Sequence, residues 1–137
     1  MKYWIGVVSA DHVARGVEQG VMRIGHGKRI GVAKQQKGDW LIYYSPRQTV
    51  DSKDPLQTFT ALGQITDDEP YQVAVTEDFK AWCRNVSYEP VKPLPIRPIL
   101  DELSFIKDET HWGIAFRYGI LQISKEDFDL IADLLRS

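Results

Sequence analysis

The chain has 137 residues, 43% hydrophobic and 26% charged, with a net charge of −2 and a single cysteine. That length suits one domain spanning residues 1–137 with a core of its own, and no apolar run reaches the length of a membrane span. Lone Cys83 excludes an intrachain disulfide and a cysteine zinc cluster.

The opening "MKYWIGVVSADH" alternates Tyr3, Ile5 and Val7 with Trp4, Gly6 and Val8. This suits a first strand over 2–9 better than a secretory signal, so the expected compartment is the cytoplasm. Ser9 or Asp11 can cap a short helix over "DHVARGVEQG", which Gly20 stops. "VMRIGHGKRIG" predicts a short strand running into a glycine-rich turn at Gly25-His26-Gly27, and "VAKQQK" a brief helical turn. Lys37-Gly38-Asp39 then turns the chain into "WLIYYS", where Trp40, Ile42 and Tyr44 share one face and Leu41, Tyr43 and Ser45 the other. Neither face is polar before Ser45, so the strand is expected to be covered on both sides.

"LQTFTALGQI" predicts another strand, with Gly63 a bulge or a point of close approach. "YQVAVT" and "AWCRNVSYEP" continue the sheet, the latter with Trp82, Arg84, Val86 and Tyr88 on one face. Pro93, Pro95 and Pro98 make "VKPLPIRP" an extended connector. Short helices are expected over "ILDELSFI" and "THWGIAFRYG". Ser124 and Asp127 form a capping-box pattern for a terminal helix buried through Phe128, Ile131, Leu134 and Leu135. Strands in the middle with helices at the flanks give an α+β fold on a mixed or antiparallel sheet, and two-sided apolar strands favour closure into a barrel.

Candidate chemistry is uneven along the chain. His12, His26 and His111 lack ligand spacing, so no metal or other cofactor is implied. Cys83 sits mid-strand, where a small core residue is the usual explanation. No nucleophile-elbow, Walker or dinucleotide-binding fingerprint occurs, so the chain is not expected to be an enzyme. Residues 1–50 hold eight Lys or Arg against three Asp or Glu, and residues 51–137 nine against sixteen. The basic first third can present a positive face to a polyanion, or simply be a solvated surface.

The aromatics are more suggestive. Tyr44 precedes Ser45-Pro46, Phe59 lies between threonines, Trp82 stands near Arg84, and Trp112 precedes Gly113. A nucleobase stacks on such rings while hydroxyls and amides meet its edge, and Lys or Arg at the mouth hold phosphates. Gly25, Gly27 and Gly113 would let backbone approach such a ligand. The same aromatics at strand spacing also suit plain core.

The ordered stretches "YWIGVVSADHV", "HGK", "KGDWLIYYSP", "LQTFTALGQI", "THWGIAFRYGILQIS" and "EDFDLI" together resemble the stand-alone EVE domain family, related to YTH and ASCH domains. The resemblance implies a PUA-like mixed β-barrel with short flanking helices and a C-terminal helix. It further implies a pocket for a modified base of DNA or RNA, without a membrane partner. Tyr44, Ser45 and Pro46 would form one wall, Ser9 and His12 the opposing one, and His26-Gly27-Lys28 would overhang the mouth. Phe59, Trp112 and Arg117 are further candidates, and Arg84 is either a pocket residue or a phosphate contact. Tyr44 and Phe59 can equally be core, and Ser9 a helix cap. Trp4 is expected beneath the terminal helix. The rival functions are a metabolite site in the same pocket and a nucleic-acid-processing enzyme.

Overall fold

A strand that is apolar on both faces needs cover on both sides, and that requirement organises the fold. The computed structural model describes residues 1–24 and 28–137. The turn expected at Gly25, His26 and Gly27 lies outside the described residues. The strands are β1 (Tyr3–Val7), β2 (Val21–Met22), β3 (Trp40–Ser45), β4 (Thr58–Ile65), β5 (Tyr71–Thr76), β6 (Phe79–Tyr88), β7 (Leu94–Pro95) and β8 (Ile120–Ile123). Three α-helices, α1 (Ala10–Gln19), α2 (Arg29–Ala33) and α3 (Lys125–Arg136), and 3-10 helices at Arg97–Glu102 and Trp112–Phe116 complete the described elements.

The sheet runs β2-β6-β4-β3-β1-β8, with β5 added on β6 and β7 on β4. β1 and β3 are parallel and the other pairs antiparallel, which makes the sheet mixed. β2 and β8 end this path without pairing to each other among the described residues, so the expected closure into a barrel is not seen. Helices on both faces supply the cover that closure would have supplied. Ile42 and Tyr44 enter one core with Phe128, Ile131 and Phe116, and Leu41 and Tyr43 enter the other with Val13 and Val32. Trp4 belongs to this second core, not beneath α3 as expected. Alternation gives the place against α3 to its neighbour Tyr3, whose ring lies 4.7 Å from Phe128, with Trp40 at 5.5 Å.

Local chemistry explains the boundaries. Gly20, in the left-handed region at φ 71°, stops α1. Asp39 fixes the turn before β3: it accepts from the Lys2 and Gln36 N–H groups and the Trp4 indole at 2.9–3.0 Å. Burial pushes its carboxyl up, but these donors hold it below its ordinary value. The bulge in β4 falls not at Gly63 but at Thr60, between the pairs Tyr43–Ala61 and Tyr44–Phe59. It sets Phe59 and Leu62, three residues apart, in the same core. Gly63 is instead a close approach, since a Cβ there would lie 2.5 Å from Val86 Cγ1.

Several expected boundaries shift. α2 begins at Arg29, ahead of the expected "VAKQQK" turn. The two expected helices near the C-terminus are shorter 3-10 turns, and positive-φ Gly119 redirects the chain into β8, a strand the sequence pattern did not announce. In α3 the Ser124 hydroxyl accepts from the Asp127 N–H at 3.2 Å, one half of the capping box, while the Asp127 carboxylate accepts from the Ser104 N–H and hydroxyl in place of the other half. Phe128, Ile131 and Leu135 are buried, but Leu134 is 40% exposed and Ala132 fills the stripe in its stead.

Candidate functional site

The ends of β1 and β3 are tied together by the Val8 N–H donating to the Tyr44 carbonyl at 3.1 Å. The chain then leaves β3 as a loop closed on itself, because the Pro46 carbonyl accepts from Leu56 N at 2.7 Å and Gln57 N at 3.2 Å. Gln57 takes a positive φ of 49° to make that closure. Inside the loop the Arg47 guanidinium donates to the carbonyls of Ser52 and Lys53 at 2.9 and 2.7 Å. The loop also caps α1: Ala10 N and Asp11 N donate to the Arg47 and Gln48 carbonyls, each at 3.0 Å. Ser9 is the N-cap by position, its carbonyl accepting from Val13 N at 3.1 Å, but its hydroxyl makes no capping bond and bonds to Asp11 Oδ1 at 2.7 Å instead.

Between this loop and the two 3-10 helices lies a cavity of about 410 Å³, within the roughly 300–1,000 Å³ typical of small-ligand sites. Its base is aromatic. Tyr44 and Phe116 stack at 4.2 Å and 15°, with Phe59 set edge-on beneath Tyr44 at 5.5 Å. Trp112 stands nearly perpendicular to both rings, at 82° and 84°. The Arg97 guanidinium lies 5.5 Å from the Trp112 ring and its Nε donates to Gln57 Oε1 at 2.8 Å. Arg117 donates to the Tyr118 hydroxyl at 2.6 Å. Gly113, as expected from sequence, leaves open space where a side chain would stand.

The electrostatics are one-sided. Arg47, Arg97 and Arg117 line the cavity, and among the described residues no carboxylate does. Among the described residues none of these three guanidiniums makes a salt bridge; the arginines that do are Arg15, Arg84 and Arg136. Burial pushes the Tyr44 phenol above its ordinary value, with the Arg97 charge pulling the other way, so it remains a hydrogen-bond donor at neutral pH. Aromatic faces, a phenol, an amide and three unneutralised cations suit a flat ligand that carries negative charge.

Of the residues singled out from sequence, Tyr44, Pro46, Trp112 and Arg117 are brought together in this lining. Phe59 is fully buried one layer below it. Ser45 turns to the other side of β3, where it is buried and hydrogen-bonded to Thr60 at 2.8 Å. Ser9 and exposed His12 open α1, and exposed Lys28 precedes α2; none of the three lines the cavity. His26 and Gly27 lie outside the described residues.

Arg84 is neither pocket residue nor phosphate contact. It is fully buried, with Nε on Asp67 Oδ1 at 2.7 Å and its other nitrogens on the carbonyls of Val32, Gln35 and Asp67. Sequence reasoning missed Val7, Arg47, Pro55, Gln57, Arg97 and Phe116. The one available signal was position: Arg47 follows Pro46 directly, and Arg97 is one of two cations, with Lys92, in a proline-rich connector.

Residues 2–134 match the EVE domain family model. A UPF0310 protein of Mycolicibacterium vanbaalenii is 47% identical over 131 residues, covering 96% of this chain and 90% of its own. The YTH domain of Zygosaccharomyces rouxii MRB1, solved with N6-methyladenosine RNA, superposes with a TM-score of 0.60 at 13% identity over 98% of this chain and 88% of its own. Human THYN1, solved with 5-methylcytosine DNA, gives 0.53 at 12% identity over 100% and 99%. The chain belongs to the EVE domain family, and its α+β fold is PUA-like with an open sheet.

Proposed function

We propose that this EVE domain is a nucleic-acid reader that acts by binding and not by catalysis. It takes an extruded, modified base of DNA or RNA into the cavity while its arginines grip the adjoining phosphates. The observation that carries this reading is the pairing of an aromatic floor and wall with three guanidiniums that no carboxylate neutralises. The base stands against Trp112, drawing Arg97 from the ring towards phosphate, and the Tyr44 phenol and Gln57 amide meet polar atoms on its edge. Related folds solved with N6-methyladenosine RNA and with 5-methylcytosine DNA support the choice of ligand class.

The energetics are adequate for a reader. Stacking contributes about 1–3 kcal/mol per base, a buried methyl adds roughly 0.8 kcal/mol, and an unpaired buried polar edge costs about 1–3 kcal/mol. Free nucleosides should therefore bind modestly and strands much more tightly, since phosphates add a salt-sensitive contribution.

The test is a tryptophan-fluorescence titration against length-matched single and double strands, with and without N6-methyladenine or 5-methylcytosine, at two salt concentrations. Preference for one modified strand, weakened by salt, is the expected result. The cavity's volume of about 410 Å³ also suits a small anionic metabolite. Quenching by free nucleotides with shallow salt dependence, and no binding of strands, would replace the reader with that second reading.

A further inference from the structure

The segments that wall the cavity carry apolar side chains that reach into solvent. The loop contributing Pro46, Arg47 and Pro55 to the wall holds Val50, 74% exposed. The segment contributing Trp112, Gly113, Phe116 and Arg117 holds Ile114, 61% exposed, and Tyr118, 76% exposed. With Trp112 and Phe116 turned inward, the intervening Ile114 is turned out. Tyr118 is held in place: the Arg117 guanidinium sits 4.8 Å from its ring and donates to its hydroxyl at 2.6 Å.

A single exposed apolar residue needs no explanation. Three on the two segments that wall one cavity, together with three unneutralised cations that favour a polyanion, ask for a ligand with both phosphate and apolar surface. Removing a base from a duplex leaves such a place, an unstacked gap flanked by phosphates, and proteins that open base steps fill it with apolar wedges. A single strand has no such gap.

Resting on the reading that the cavity takes a base, we propose that the substrate is a duplex and that Ile114, braced by Tyr118, enters the stack where the extruded base stood. Ile114 is then a determinant of duplex over single-strand binding and not part of the base pocket.

The test uses the full chain and a short duplex carrying N6-methyladenine or 5-methylcytosine at the target position and 2-aminopurine, a base that brightens when unstacked, next to it, beside the same strand alone. Both are prepared as DNA and as RNA. Brightening on titration of at least one duplex is expected. Ile114→Ser should weaken that duplex about tenfold and suppress the brightening, with single-strand affinity altered less than about twofold. Tyr118→Ser should act in the same direction, and Phe79→Ser, an exposed aromatic away from the cavity, should change nothing.

Equal loss for duplex and single strand in Ile114→Ser, or duplex binding without brightening, would overturn the wedge and leave the cavity reading intact. That reading is checked separately by Trp112→Ala, which should weaken both strands. Failure of the unaltered chain to bind any strand would overturn both.

Discussion

Arginine does opposite things on the two sides of this sheet. On the α2 side, Arg84 is fully buried, paired with Asp67, and saturated by the carbonyls of Val32, Gln35 and Asp67. On the cavity side, Arg97 is exposed, rests on Trp112, and among the described residues has only the neutral oxygen of Gln57 as a hydrogen-bond partner. A guanidinium whose donors are all used on its own protein holds the fold together. One that faces an aromatic wall without a counter-charge is available to a ligand. Burial alone would have ranked them the other way round, so the partner inventory decides the role.

The comparison is broken most forcefully at Arg84. Replacing it with Met strips the Arg84 donors from Asp67 Oδ1 and from the carbonyls of Val32, Gln35 and Asp67, leaving the carboxylate only the Asn85 N–H on Oδ2, so stability should fall by roughly 3–5 kcal/mol. Denaturant unfolding measures the loss, and strand affinity per folded molecule should stay the same. A loss under about 1 kcal/mol would mean that water replaces the guanidinium and that Arg84 is no staple.

On the cavity side, Trp112→Ala removes the wall and should cost about 1–3 kcal/mol of binding, a loss of several-fold to about a hundredfold. Arg97→Gln should reduce the slope of log affinity against log salt by about one. Arg29 supplies the matched control, because it too sits 5.5 Å from a tryptophan, Trp82, but lies outside the cavity. Arg29→Gln should leave the slope as it is. Equal slopes in both variants would mean that Arg97 touches no phosphate.

These two arginines also mark what a sequence can reveal. Strand alternation sorted Trp40, Ile42 and Tyr44 from Leu41 and Tyr43, because both cores read the same two-residue period. The Ser124 cap and the Gly20 stop were equally legible, since each depends on neighbours within a few residues. Arg84 was misread because its acceptors are 17, 49 and 52 residues away, and nothing local distinguishes a stapled cation from a free one. Arg97 was missed for the same reason, its partner Gln57 being 40 residues distant. The charge run does not map onto this lining: of the three cavity arginines only Arg47 comes from the basic first third.

The finest distinction lies in Tyr44, which serves both sides of the division between core and site. Its ring is core, stacked on Phe116 and only 2% exposed, so Tyr44→Phe keeps the packing and removes only the hydroxyl. If that hydroxyl donates to the edge of a bound base, the variant should bind about 0.5–1.5 kcal/mol less tightly, with little change in stability. The pH dependence gives the sign. Burial raises the Tyr44 phenol above its ordinary 10.0, so the protonated donor is present at every pH below that value and is lost only above it. Titrations at pH 6, 7.5 and 9 should therefore show the same deficit between wild type and Tyr44→Phe. A deficit that shrinks across this range would mean that the phenol loses its proton early, and a deficit absent throughout would return Tyr44 wholly to the core.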